Sequence, residues 1–185
     1  MKVAWGITGS GDKIAETVEE MSKIQEKFGD QLKIEVFLSK AGVQVIKYYR
    51  LGEKLELFHK VRKEKDSNTP FLAGRLQMGE FKFFIIAPAT SNTVAKISVG
   101  IADTLLSNAV LQAVKGFIPV HIMPVDYNAG TVTTILPNGK PLKLRVRKED
   151  ADNVRRLEAV EGIHPFEKTC DIINIFSEYF STEQD

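Results

Sequence analysis

The residues best suited to chemistry gather in three short polar turns, each directly after an apolar run: Thr8-Gly9-Ser10-Gly11, Ser39-Lys40-Ala41-Gly42 and Thr90-Ser91-Asn92-Thr93. Glycine lets a backbone approach an anion closely, and hydroxyls and first-turn N–H groups can donate to it. Such turns suit a phosphate or the polar edge of a flat ring, although Ser, Thr and Asn there also serve as plain helix caps. The first turn is not a Walker loop, since no Gly-Lys-Ser/Thr follows, and Gly6-x-x-Gly9-x-Gly11 is only a loose cousin of the dinucleotide fingerprint. Nucleophilic and metal chemistry have little to work with. The single cysteine, Cys170, neighbours Ile172, Ile173, Ile175 and Phe176 and reads as a buried thiol on an apolar helix. One thiol forms neither an internal disulfide nor an iron–sulfur cluster, so redox chemistry would need an organic cofactor. His59 has no partner at a ligand spacing, and His121 alternates with apolar neighbours as a packed residue does. No catalytic or metal-binding residue is assigned.

The elements that must hold these turns are strand–turn–helix units. Residues 2–7, 32–38 and 83–87 lack polar alternation and read as strands covered on both faces. After the first, Ile14, Val18, Met21, Ile24 and Phe28 recur at helical spacing. Right-handed crossovers place all such turns on one edge of a parallel sheet, where ligands bind outside the strand ends. The expectation is a doubly wound, Rossmann-like α/β fold with a mainly parallel sheet and helices on both faces. Residues 50–80 are the least legible: Leu55, Leu57, Phe58 and Val61 hint at a helix, and 60–66 is a mixed-charge, solvated run. Val94, Ile97, Ile101, Leu105 and Ala109 predict two helices bent at Gly100, with Asp103 as a cap of the second. Residues 116–124 form a strand whose Pro119 suggests an edge or a bulge. Pro137-Asn138-Gly139-Lys140 between alternating runs signals a hairpin with Leu142, Leu144 and Val146 on one face and Lys143, Arg145 and Arg147 on the other. That cationic face is either solvated or a dock for an acidic electron-transfer protein. A charged helix over 149–160, a loop at 161–165, an amphipathic helix over 166–180 and a frayed tail at 181–185 complete the chain.

With 185 residues, 43% apolar and 26% charged, the chain has the make-up of one soluble domain. Its formal charge of +1 argues against nucleic acid as a partner. No apolar run approaches the ~20 residues of a membrane span, and the N-terminus leads straight into a strand, so no membrane partner and a cytoplasmic location are expected.

The stretch Ala87-Pro88-Ala89-Thr90-Ser91-Asn92-Thr93-Val94-Ala95-Lys96-Ile97, continuing through Gly100-Ile101-Ala102-Asp103-Thr104-Leu105-Leu106, resembles the central signature of the homo-oligomeric flavin-containing cysteine decarboxylase superfamily. Gly6-Ile7-Thr8-Gly9-Ser10 looks like its first phosphate loop and Leu38-Ser39-Lys40-Ala41 like its Ser-x-x-Ala segment, while Ala4-Trp5-Gly6-Ile7-Thr8-Gly9-Ser10-Gly11 looks more like the archaeal-type branch that includes dihydromethanopterin reductases. The resemblance implies one domain, residues 1–125 as an FMN-binding core and 126–185 as hairpin and helical extension. It implies FMN, with Thr8, Gly9, Ser10, Gly11 and Ser39 near its phosphate and Ala87, Pro88, Ala89, Thr90, Ser91, Asn92 and Thr93 against the ring, where neutral donors would stabilise the reduced, anionic flavin. Lys96 belongs to the same signature, and Asp103 could bond the cofactor. It further implies a trimer or larger homo-oligomer and electron transfer from a ferredoxin-like or pyridine-nucleotide donor to a small-molecule acceptor, for which a pterin is the candidate. The decarboxylases carry a histidine at the position that falls near Gly74, where this chain has none, and their substrate clamp is replaced by Met123-Pro124-Val125-Asp126-Tyr127-Asn128-Ala129-Gly130. Decarboxylation of a cysteinyl or pantothenoyl-cysteine substrate, flavin prenyl transfer and flavin storage are the alternatives.

Overall fold

A computed structural model describes residues 1–136 and 138–182. Among them, six parallel strands form one sheet: β1 (Lys2–Ile7), β2 (Lys33–Leu38), β3 (Lys60–Lys63), β4 (Phe84–Ala89), β5 (Val120–Pro124) and, last in sequence, β8 (Ile163–Pro165). Their order is β3-β2-β1-β4-β5-β8. The order reverses between β1 and β4, the point at which open α/β sheets bind ligands. Strands β6 (Gly130–Ile135) and β7 (Pro141–Val146) form a separate antiparallel hairpin.

The strands lack polar alternation because each face has its own core. Val3, Trp5, Ile7, Phe83, Ile85 and Ala87 pack with α1 (Ile14–Phe28), α2 (Lys40–Tyr48) and α7 (Ile172–Ser181). Ala4, Phe84, Ile86 and Ala89 point the other way, toward α3 (Leu72–Gln77), α4 (Ser91–Ser98), α5 (Leu105–Lys115) and α6 (Lys148–Glu158). The doubly wound expectation is met.

Several local expectations are corrected. The predicted helix near Leu55 is a 3-10 turn, Glu53–Leu57, and part of the charged run that follows is the margin strand β3. Its Arg62 and the α3 residue Arg75 reach back to Glu35, which is 1% exposed; Arg75 binds it through two bonds of 2.7 and 3.0 Å. Burial would push the Glu35 carboxyl up, but Arg75, Lys2 and Arg62 outweigh it and hold it at about 2. Glu64 is not merely solvated: its carboxylate accepts from Lys40 N and Leu105 N, both at 2.9 Å, and so joins the first turns of α2 and α5.

Pro119 lies just before β5, an interior strand, rather than on an edge. Residues 163–165, expected as loop, complete the sheet, so the 126–185 extension is woven into the core. Of the hairpin's apolar residues only Val146 is buried; Leu142 and Leu144 are exposed. Cys170 is exposed as well, because it falls on a 3-10 turn ahead of α7 instead of on its apolar face. His121 is packed as predicted, its Nε2 3.1 Å from Tyr179 Oη. Pro137 and residues 183–185 of the expected tail lie outside the described residues.

Candidate functional site

At the reversal point the turns after β1 and β4 are tied together by one side chain. Thr8, 1% exposed, donates from Oγ1 to Pro88 O at 2.7 Å and accepts from Thr90 N at 3.0 Å. Its hydroxyl is therefore spent on the protein, as a strut between the two loops. Trp5 Nε1 donates to Ala87 O at 2.8 Å and reinforces the same junction. Ala87, Pro88 and Ala89 are buried in β4.

Close backbone packing sets the second turn behind the first. A Cβ on Gly9 would lie 2.5 Å from Ala41 Cβ, and one on Gly42 would lie 2.4 Å from Ile7 O. Only glycine permits either approach. Ser39 caps α2, its Oγ accepting from Gly42 N at 2.9 Å.

In front of these turns is a cavity of about 330 Å³. Gly9, Ser10, Gly11 and Asp12 line it from the first turn, Tyr49 from the end of α2, Thr90 and Ser91 from the third turn, Val125 and Asp126 from the end of β5, and Val132, Thr134, Leu136 and Leu144 from the hairpin. The backbone N–H groups of Gly9, Ser10 and Gly11 meet no acceptor among the described residues. Burial first, then Tyr48 and Asp12, push the Tyr49 phenol up. A more polar cavity of about 500 Å³ adjoins this one and shares Asp12, Val125 and Val132 with it.

The structure gathers some of the expected site residues and sets others apart. Gly9, Ser10, Gly11, Thr90 and Ser91 share the cavity, whereas Ser39 and Asn92 do not line it. Asn92 is exposed on the first turn of α4. Thr90 Oγ1 accepts from Thr93 N and lies 3.0 Å from Thr93 Oγ1, and Ser91 Oγ donates to Asp126 Oδ2. Of the hydroxyls expected as neutral donors to a ring, Ser91 is thus already engaged as a donor, and the Thr90–Thr93 pair uses one of its two protons. Asp103 does not cap α5, a role Thr104 fills with Ser107 in a capping box. It instead forms an ion pair with Lys96 at 2.8 Å.

Asp12, Tyr49, Asp126 and the hairpin wall were not legible as site residues. Asp126 had a signal, since it follows β5 at the same sheet edge that singles out Thr90. Tyr49 and the hairpin reach the cavity only through the tertiary fold.

A family model described as flavoprotein matches residues 1–172. The chain belongs to the flavoprotein family. This flavoprotein is 46% identical over 185 residues to an uncharacterized protein of Methanocaldococcus jannaschii, covering 100% of this chain and 98% of that one. It is 33% identical to a dihydromethanopterin reductase (acceptor) of the same organism, over 90% of this chain and 94% of the relative. Among solved structures, Burkholderia xenovorans DmrB in complex with FMN, described as a cubic protein cage for redox transfer, superposes with a TM-score of 0.81 at 31% identity, covering 100% of this flavoprotein and 97% of DmrB. A dodecameric FMN-dependent UbiX-like decarboxylase from Escherichia coli O157:H7, at 18% identity and a TM-score of 0.64 over 90% of this chain and 80% of that one, shares the fold.

Proposed function

We propose that this flavoprotein binds FMN in the cavity at the strand-order reversal and passes electrons through it, as an oxidoreductase, to a small-molecule acceptor. The observation that carries the reading is the turn 9–11, whose three N–H groups have no partner among the described residues and which lines a cavity with an apolar wall and a hydroxyl rim. Gly9, Ser10 and Gly11 hold the phosphate through neutral donors, as turns of successive backbone N–H groups do. Ser39 supports them from behind, and Thr8 keeps that turn in register with Thr90 and Ser91 at the ring's polar edge. Ala87, Pro88 and Ala89 form the rigid floor from which that edge rises. Asn92, Thr93 and Lys96 on α4, and Asp103 after it, flank the site, with Lys96 and Asp103 held together as an ion pair. Bound FMN supplies the electron-carrying chemistry. Residues 1–125 form the cofactor core, and 126–185 add the hairpin that walls it.

The acceptor in this reading is a pterin of the dihydromethanopterin type, in keeping with two relatives named dihydromethanopterin reductase (acceptor), and the donor is a ferredoxin-like protein or a pyridine nucleotide. The adjoining 500 Å³ cavity gives the second reactant a place beside the first. Self-association accompanies the function; exposed Phe71, Met78 and Phe117 offer it apolar surface. No helix among the described residues is long and apolar enough to cross a membrane, and we place the protein in the cytoplasm. Among the described residues no histidine lines the cavity. The test is a visible spectrum of the purified protein with identification of the released chromophore, a gel-filtration mass, and anaerobic reduction by ferredoxin or NAD(P)H with a dihydropterin present. A colourless protein that takes up no FMN overturns the reading, and carbon dioxide release from a cysteinyl substrate replaces it with the decarboxylase.

A further inference from the structure

The cavity's charge bears on how readily a bound flavin accepts electrons. Asp12 and Asp126 both line it, and no Lys, Arg or His does so among the described residues. Asp126 is held in place by Ser91, which donates to Oδ2, and Oδ1 has no hydrogen-bond partner among the described residues. The Arg147 guanidinium, whose high pKa owes most to Asp150 and only lastly to Asp126, is engaged by Asp150 through bonds of 2.6 and 2.8 Å. Its charge is thus spent chiefly on Asp150 and only weakly on Asp126.

We infer that Asp126, seconded by Asp12, opposes reduction of the bound cofactor and makes this a low-potential flavin site. The inference rests on the FMN reading above. Uptake of two electrons with one proton adds one negative charge to the cavity. In a half-buried space, carboxylates repel that charge more strongly than in water. The Ser91 hydroxyl, which could offset the repulsion, already donates to Asp126. The electron donor this implies is a strong reductant rather than a mild one.

The test compares binding of oxidised and dithionite-reduced FMN to the native protein and to Asp126→Asn, Asp126→Glu and Glu26→Gln, the last an exposed carboxylate on α1 outside the cavity. Affinities come from flavin fluorescence and absorbance, and midpoint potentials from a spectroelectrochemical titration. The native protein should hold oxidised FMN more tightly than reduced FMN, so its potential lies below that of free FMN. Asp126→Asn should narrow that ratio by about tenfold, the effect of one unit charge close to the ring in a part-solvated site, while Asp126→Glu and Glu26→Gln should keep it. High salt should narrow the native ratio. A native potential at or above that of free FMN, or an Asp126→Asn ratio equal to native, overturns the inference with the FMN reading intact. Failure to bind oxidised FMN at all overturns both. Should Asp126→Asn not fold, the native ratio and its salt dependence decide.

Discussion

Replacing Thr8 by valine keeps the shape of a buried side chain and deletes one oxygen, which makes it a direct probe of how the two cofactor turns are held together. That oxygen makes two bonds, of 2.7 Å to Pro88 O and 3.0 Å from Thr90 N. Pro88 O retains a longer bond from Thr8 N at 3.4 Å, but Thr90 N has no other acceptor among the described residues. An abandoned buried donor costs ~1–3 kcal/mol, and because Thr90 is only half-buried the lower part of that range applies, about 1–2 kcal/mol. In a domain of this size that lowers the melting temperature by roughly 2–8 °C. The urea midpoint should fall with the slope unchanged. FMN affinity should drop as well, since the turn bearing Gly9 to Gly11 loses its register with Thr90, and Thr8→Ser should recover most of both losses. A valine variant as stable as native that binds FMN equally well would refute the strut. A serine variant as damaged as the valine one would assign the effect to the lost methyl group.

Gly9→Ala should cost about 1–3 kcal/mol and weaken FMN binding, because its new Cβ would sit 2.5 Å from Ala41 Cβ; Gly9→Ala combined with Ala41→Gly should restore binding in the same fluorescence assay. Glu35, held at about 2 against an ordinary 4.5, contributes about 3 kcal/mol, fully present above pH 5 and lost as the pH falls toward 2. Urea titrations across that range should show Glu35→Gln less stable at pH 7 and flatter on the acid side. His121 is lowered to about 4 by burial and then by His164, so it folds neutral, and its contribution is present above its unfolded value of 6.5 and lost as the pH falls through 4. An NMR titration should find the His121 imidazole uncharged at pH 5.5, and His121→Gln should remove the part of the stability slope between pH 6.5 and 4.

The strands and most helices flanking the cofactor turns were legible because two-sided burial leaves unbroken apolar runs and one-sided helix burial leaves a 3.6-residue stripe. Segments whose order comes from tertiary contacts were not. The strand at Lys60–Lys63 carries charge because it borders solvent and answers Glu35, and α3 is short, with a stripe of only Leu72, Ala73 and Leu76. Within the site, sequence located the turns but not the use of their hydroxyls. The tie that the Thr8 hydroxyl makes to Pro88 and Thr90 is invisible in sequence, and Asp103 reads as a cap until Lys96 is found 2.8 Å away.

The two outer strands of the sheet bear on how copies of the chain can meet. One margin, Lys60–Lys63, is short and carries three cations among its four residues; the other, Ile163–Pro165, is shorter still and ends in a residue without an amide hydrogen. Neither gives a neighbouring backbone a ladder to extend. The six-stranded sheet thus resists being lengthened strand by strand, and a contact with another chain falls to the helices, the loops and the separate hairpin.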